Sequence, residues 1–118
     1  MKFKKRLLLS LLSLFVCNVW AGNFTAFAIP TRIDIDRGNG LMVFGAFGNP
    51  GGCTVGDRIY ININHPQYQQ IYAAILAAFA SGKKIQAYSH ECKPATWYSV
   101  EAVTYNHVEP YSAVNLMN

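Results

Sequence analysis

Charge is scarce in this chain: Asp, Glu, Lys and Arg together make up 14% of its 118 residues. Lys2, Lys4, Lys5 and Arg6 hold four of the ten cations within the first six positions. The other six, Arg32, Arg37, Arg58, Lys83, Lys84 and Lys93, are matched by Asp34, Asp36, Asp57, Glu91, Glu101 and Glu109. Beyond residue 21 the formal charge is therefore zero, which removes the electrostatic basis for gripping nucleic acid or an anionic membrane. No apolar run is long enough to span a bilayer, so stable membrane insertion is not expected. Metal motifs are lacking, with neither paired C-x-x-C nor H-E-x-x-H. Gly48-Asn49-Pro50-Gly51-Gly52 is no phosphate cradle, because no Lys-Ser or Lys-Thr follows and the next residues begin a strand. There is no Ser-centred elbow and no deaminase or protease signature. These absences point away from cofactors, metals and catalysis.

What is present starts with an export leader. Basic residues 2–6 precede the apolar run Leu7–Val16, and Val19-Trp20-Ala21 offers small residues at the −3 and −1 positions. That is a secretory signal peptide cleaved after Ala21. A lipid-anchored alternative at Cys17 is disfavoured, since Val16 stands where a small residue is wanted. Residues 22–118 then form a single domain, secreted or periplasmic in a bacterium. Two cysteines remain in it, Cys53 and Cys92. In an exported chain an even pair reads as a disulfide. The alternative is a reactive thiol paired with a histidine.

The organising stretch runs from Asn64 to Gly82. Tyr68, Ile71, Tyr72, Ile75, Leu76 and Phe79 recur at helical spacing and form one apolar face. Asn64 or His65 caps the start, Pro66 suits the first turn, and Gly82 suits the left-handed closing residue. The opposite face, Ala73, Ala74, Ala77, Ala78 and Ser81, is small and uncharged. It reads as a surface for close approach by a second subunit, or simply as alanine's high helix propensity.

Around this helix the period is that of strands. Phe24–Arg37 is the first, bent or broken at Pro30, and Arg37-Gly38-Asn39-Gly40 is a turn. Leu41–Phe47 follows, with a bulge or tight bend at Gly45. Asp57–Asn64 turns Ile59, Ile61 and Ile63 to one face. Past the helix come Lys84–His90 and Trp97–Tyr105, and the tail Asn106–Asn118 has no clear period. The fold class is mainly β with one helix. The order β-β-β-α-β-β is that of an OB-fold, a small five-stranded barrel. The competing layout is an α+β domain with the helix laid across an antiparallel sheet.

Candidate chemistry is thin. His90-Glu91-Cys92 and His107-Val108-Glu109 are the clusters of ligand type, and both read as solvated loop residues. Asp34 and Asp36 share a strand face and suit either acid–base work or protection of an edge strand. The aromatic residues Tyr60, Tyr88, Trp97, Tyr105 and Tyr111 are expected on polar faces and loops, where rings with neighbouring hydroxyls and amides can stack on sugars; the alternative is that they fill an outer layer or an interface.

Taken together, Cys53, the helix Tyr68–Ser81, Gly82-Lys83-Lys84-Ile85 and Cys92 resemble the B subunits of bacterial AB5 toxins, the subtilase-cytotoxin type in particular. The resemblance covers Ile33 to Tyr105 and lies in layout. It implies an OB-fold, a ring of five protomers with helices lining its centre, and glycan binding on the barrel. No family sugar-binding motif is present, so no glycan-contacting residue is carried over. The expectation is an exported, non-enzymatic binding module, glycan-binding and homo-oligomeric. The alternatives are a structural or inhibitory periplasmic protein that binds another exported protein, and a small exported enzyme using Cys53 or the His90–Glu91 region.

Overall fold

The computed structural model describes residues 22–35 and 38–118. The leader read in residues 1–21, Cys17 within it, Asp36 and Arg37 lie outside the described residues. The domain is mostly β with a single described helix. Its elements are β1 (Asn23–Phe24), β2 (Arg32–Ile35), β3 (Gly40–Phe44), β4 (Arg58–Asn62), α1 (Tyr68–Ser81), β5 (Lys84–Ser89), β6 (Glu91–Pro94), β7 (Thr104–Val108) and β8 (Val114–Met117). They form a three-stranded sheet in the order β1-β5-β8 and a five-stranded sheet in the order β2-β3-β4-β7-β6. Every pairing is antiparallel except β4 with β7, which is parallel. Neither sheet closes into a barrel. The layout is α+β, and the parallel pair makes the larger sheet mixed where an antiparallel one was the competing expectation.

The first strand breaks around Pro30. Before it, Ala28 bridges Ile85, and Thr25 N–H donates to the Ala87 carbonyl (2.8 Å). After it, β2 pairs with β3. β3 ends at Gly45, where an added Cβ would meet the Phe47 ring at 2.7 Å and the Ile29 carbonyl at 3.0 Å. The bend lets Phe47 turn into the core, fully buried. β4 is shorter than its sequence pattern. Ile59 and Ile61 are buried, but Ile63 is 40% exposed, because the chain turns where the Asn64 N–H donates to Asn62 Oδ1 (2.8 Å).

The expected cap at Asn64 or His65 is corrected: Gln67 occupies the capping position and makes no side-chain cap, while its N–H donates to His65 Nδ1 (3.0 Å); the helix ends at Gly82, in the left-handed region at φ 71°. Its buried residues are Ile71, Ile75 and Ala78, with Tyr68 and Tyr72 packed against the same core. This corrects the expected apolar face. Leu76 is 38% and Phe79 46% exposed, while Ala78, expected on the outer face, has no exposed surface. A small residue at Ala78 fits where the helix meets the core, and the bulky pair is rotated outward.

Two further departures lie at the C-terminal end. The strand expected over Trp97–Tyr105 is instead Thr104–Val108. Long-range pairing decides it: Ile59, Tyr60 and Ile61 align with Asn106, His107 and Val108. Residues 95–99 coil into a turn closed by Tyr98 and Ser99 N–H groups on the Ala95 carbonyl. The tail, expected without regular structure, supplies β8, paired with β5.

Two apolar layers result. The inner one joins Leu41, Val43, Phe47, Ile59, Ile61 and Val108 to the helix and to Ile85 and Ala87. The outer one lies on the opposite face of the five-stranded sheet, under the 95–103 segment: Met42, Ala95 and Tyr105 with Phe44, Val55, Tyr60, Trp97, Tyr98 and Val103. The disulfide joins Cys53 to Cys92, Cα atoms 5.4 Å apart, tying the 45–57 loop to β6. Asn49 fixes that loop by bonding both the N–H and the carbonyl of Cys53 at 2.7 Å.

Candidate functional site

Strand register sets out the outer face of the large sheet. Arg32, Phe44 and Arg58 occupy one rung across β2, β3 and β4. Both guanidinium groups lie over the Phe44 ring, at 4.8 Å and 4.3 Å from its centroid, close enough for cation–π attraction. The next rung is Asp34, Met42 and Tyr60, and Tyr60 aligns in turn with His107 on β7.

The 95–103 segment roofs this face. Trp97 meets Tyr60 edge to face at 5.8 Å and Tyr98 at 5.6 Å, and Tyr98 meets Tyr105 at 5.9 Å. The Tyr105 hydroxyl donates to Ser99 Oγ (2.7 Å), while Trp97 Nε1 is buried with no hydrogen-bond partner. At the edge of the roof the Tyr98 hydroxyl donates to Asp34 Oδ2 (2.7 Å), and Arg32 Nε donates to Asp34 Oδ1 (2.8 Å). Arg32, Ile33, Asp34, Ile35 and Tyr98 line an open cleft of about 470 Å³.

The charges of the cleft are settled by these contacts. Burial opposes ionisation of Asp34, but the hydrogen bonds from Tyr98 and Arg32 and the charges of Arg32 and Arg58 outweigh it and hold the carboxyl below its ordinary range. Burial, with the Asp34 carboxylate beside it, pushes the Tyr98 phenol up to about 12. At neutral pH the cleft thus presents a fixed carboxylate, a guanidinium and a neutral phenol beside Ile33 and Ile35. That set can donate to and accept from hydroxyl groups while an aromatic edge covers an apolar patch.

Three strands across the sheet from this cleft lies a buried polar pair. His107 and Glu109 are about 5% and 3% exposed at their side chains, with Nδ1 and Oε1 3.3 Å apart. The approach is too oblique for a linear hydrogen bond at Nδ1. Asn62 Oδ1 is held by the Asn64 N–H, so Asn62 Nδ2 faces His107 Nε2 at 3.3 Å. Glu109 also accepts the N–H groups of His90 and Glu91. Burial opposes its ionisation, yet the His107 imidazole and backbone N–H groups together hold its carboxyl below the ordinary value.

Of the five aromatic residues singled out from the sequence, Tyr60, Trp97 and Tyr105 come together, and Tyr88 and Tyr111 do not. Tyr105 is 1% exposed, which corrects its expected place on a polar surface: the shift of the last sheet strand to 104–108 turns it under the roof. Tyr88 stands apart, in an exposed stripe where its ring meets Phe24 at 4.7 Å and His90 at 4.5 Å, and His90 meets Tyr111 at 4.7 Å. The disulfide consumes the candidate thiols Cys53 and Cys92. His107 and Glu109, expected in a solvated loop, are buried: His107 lies on β7 and Glu109 directly follows that strand. Of the small helix face, Ala73, Ala77 and Ser81 are exposed, Ala74 is half-buried and Ala78 is buried. Among the described residues no group of three His, Cys, Asp or Glu side chains could hold a metal ion, and no helix is long and apolar enough to cross a membrane.

The cleft residues Arg32, Asp34 and Tyr98 went unrecognised as a set. Arg32 and Asp34 alternate with Ile33 and Ile35, a faint signal for one polar face, but nothing local ties them to Tyr98, 64 positions away. Set against known protein families, curated proteins and solved structures, the chain finds no match in any of the three.

Proposed function

We propose that residues 22–118 form an exported, non-enzymatic module that binds a glycan in the cleft between β2 and Tyr98 and works as a homo-oligomer. The observation that carries the reading is the Arg32–Asp34–Tyr98 set. Its carboxylate is pinned from two sides and lines an open cleft together with the Tyr98 ring, at the edge of the aromatic roof. Pinned donors and acceptors beside an aromatic surface suit a sugar, whose ring carries hydroxyls on its rim and apolar C–H groups on its faces.

An OB-type barrel is the finer reading of the fold. Its support is the connection between the sheets. β5 passes into β6 through the single residue His90, and the 23–28 segment that pairs with β5 runs on into β2. Read as continuous strands, the order is cyclic, with a parallel third and fifth strand. The homo-oligomer is supported by α1, which carries no charged residue over its 14 positions and exposes Leu76, Phe79, Ala73, Ala77 and Ala80. An exposed apolar helix face of this kind marks a contact surface. A protein partner on that face is the competing reading, and it is the better one where the mature protein alone has the mass of one chain.

The test is binding of mature protein to a broad glycan panel, with Asp34→Ala and Tyr111→Ala alongside. Retained glycans should lose binding to Asp34→Ala by about tenfold or more, the equivalent of one lost charged hydrogen-bonding group. Tyr111→Ala should bind as the wild type does. A blank panel with folded protein overturns the proposal.

A further inference from the structure

Among the described strands the two sheets have four edges, and three of them are guarded. β2 carries Arg32 and Asp34. β6 carries Glu91 and Lys93, an ion pair at 3.4 Å, and ends in Pro94, while β1 is only two residues long. Charge, proline and shortness are the devices that keep an edge strand from pairing with another chain. β8 has none of them. Val114-Asn115-Leu116-Met117 is uncharged, pairs with β5 on one side and with no described strand on the other, and leaves Leu116 52% and Met117 40% exposed.

Strand register fixes which backbone groups are unused. The Tyr88 N–H donates to the Ala113 carbonyl (2.9 Å), and further along Gln86 aligns with Asn115 and Lys84 with Met117. Hydrogen-bonded pairs alternate in an antiparallel ladder. Ala113, Asn115 and Met117 therefore turn their N–H and C=O groups toward β5, and Val114 and Leu116 turn theirs outward. Side chains alternate as well. Val114 aligns with Ala87 and Leu116 with Ile85, so both lie on the sheet face that packs on α1. A groove of about 260 Å³ runs between β8 and α1, with Val114 on one wall and Ile71 and Ala74 on the other.

We propose that β8 is a seam for a second copy of this chain, β8 against β8 antiparallel about a two-fold axis at Asn115. The inference rests on the homo-oligomer of the proposed function and names the strand through which two copies meet. In this register Val114 stands opposite the partner's Leu116, and the two exchange both backbone hydrogen bonds through their outward groups. The partner's Leu116 then lies beside Val114 on the α1 side of the sheet and fills the groove lined by Ile71 and Ala74. Asn115 meets the partner's Asn115 with no charge on either side, and the contact is self-complementary, as a two-fold interface requires. β2 is a poorer mate for β8: it would set Arg32 and Asp34 against an uncharged strand, and its residues line the cleft.

The test is sedimentation of residues 22–118 over a dilution series reaching about 100 μM. The chain should associate into particles of an even number of copies that dissociate on dilution. Leu116→Pro removes an outward N–H and leaves those facing β5 in place, so it should fold and raise the dissociation constant about a hundredfold or more. Asn115→Cys should cross-link two chains on mild oxidation, because directly opposed residues of a non-hydrogen-bonded pair have Cα atoms about 4.5 Å apart. Gln86→Cys, one strand inward, should not, since its counterpart is three strand spacings away, about 14 Å. A monomer throughout the series, an odd-numbered ring, association unchanged by Leu116→Pro, or equal cross-linking at positions 86 and 115 overturns the seam. Association that survives Leu116→Pro and is lost in Phe79→Glu overturns it too, while keeping the homo-oligomer on α1. If Leu116→Pro does not fold, the cross-linking pair decides alone.

Discussion

The two sides of the five-stranded sheet solve different problems. The inner side is built from Leu41, Val43, Ile59, Ile61 and Val108, side chains without polar atoms that gain free energy by leaving water. The outer side is built from Met42, Tyr60, Trp97, Tyr98 and Tyr105, and two of its hydroxyls are directed at named partners, Ser99 and Asp34. Apolar packing tolerates swaps of similar volume, whereas a directed hydroxyl fixes where the neighbouring group sits. The inner layer therefore carries most of the stability, and the outer layer holds the cleft in shape.

The sharpest way to break this division is from the inner side. Replacing both Cys53 and Cys92 by Ser removes a bridge closing a separation of 39 residues and should cost about 4 kcal/mol by the chain-entropy estimate, read as a lower denaturation midpoint. Ile61→Ala, at a site with no exposed surface, should cost about 3 kcal/mol, and where the protein still folds, glycan affinity should be unchanged. On the outer side the ratio reverses. Tyr98→Phe deletes one hydrogen bond to a carboxylate and should cost only about 1.5 kcal/mol of stability, while weakening binding in the cleft. Equal binding by Tyr98→Phe and wild type would collapse the distinction between the layers.

Acid gives the smallest and most graded effect. Asp34 and Glu109 both have folded carboxyls held below their ordinary values. Their stabilising contribution is complete above the ordinary carboxylate range, about pH 4, and is lost as pH falls through the lowered folded values. Denaturant midpoints should fall on acidification in that range, and Asp34→Asn should show less of the fall.

How legible these regions were follows from how local their causes are. The inner faces of β3 and β4 could be read because alternation is a nearest-neighbour property, and Ile59 and Ile61 fall where it puts them. Ile63 continues the alternation but not the strand, because a side-chain bond from Asn62 ends it. The helix was legible in its extent, Tyr68 to Ser81, and in its Gly82 stop. Its rotation was not. Hydrophobicity favoured Leu76 and Phe79 for the core, but the contact took the smaller Ala78. Residues 97–105 carry a real period of two, yet the strand forms at 104–108 because β4 is paired there in parallel, its partners such as Ile59 and Asn106 lying far apart in sequence. A still longer separation, 64 positions, hid the cleft: Asp34 looked like an edge charge, and Tyr98 like one more residue of a strand.

The most direct test is to map where a glycan retained by the panel touches the protein, from amide and side-chain shift changes on titrating it into labelled residues 22–118. The account predicts that the largest changes centre on Arg32, Asp34 and Tyr98, with Phe44 and Trp97 behind them. Changes centred instead on Phe24, Tyr88, His90 and Tyr111 would place the binding surface on the exposed stripe and contradict it.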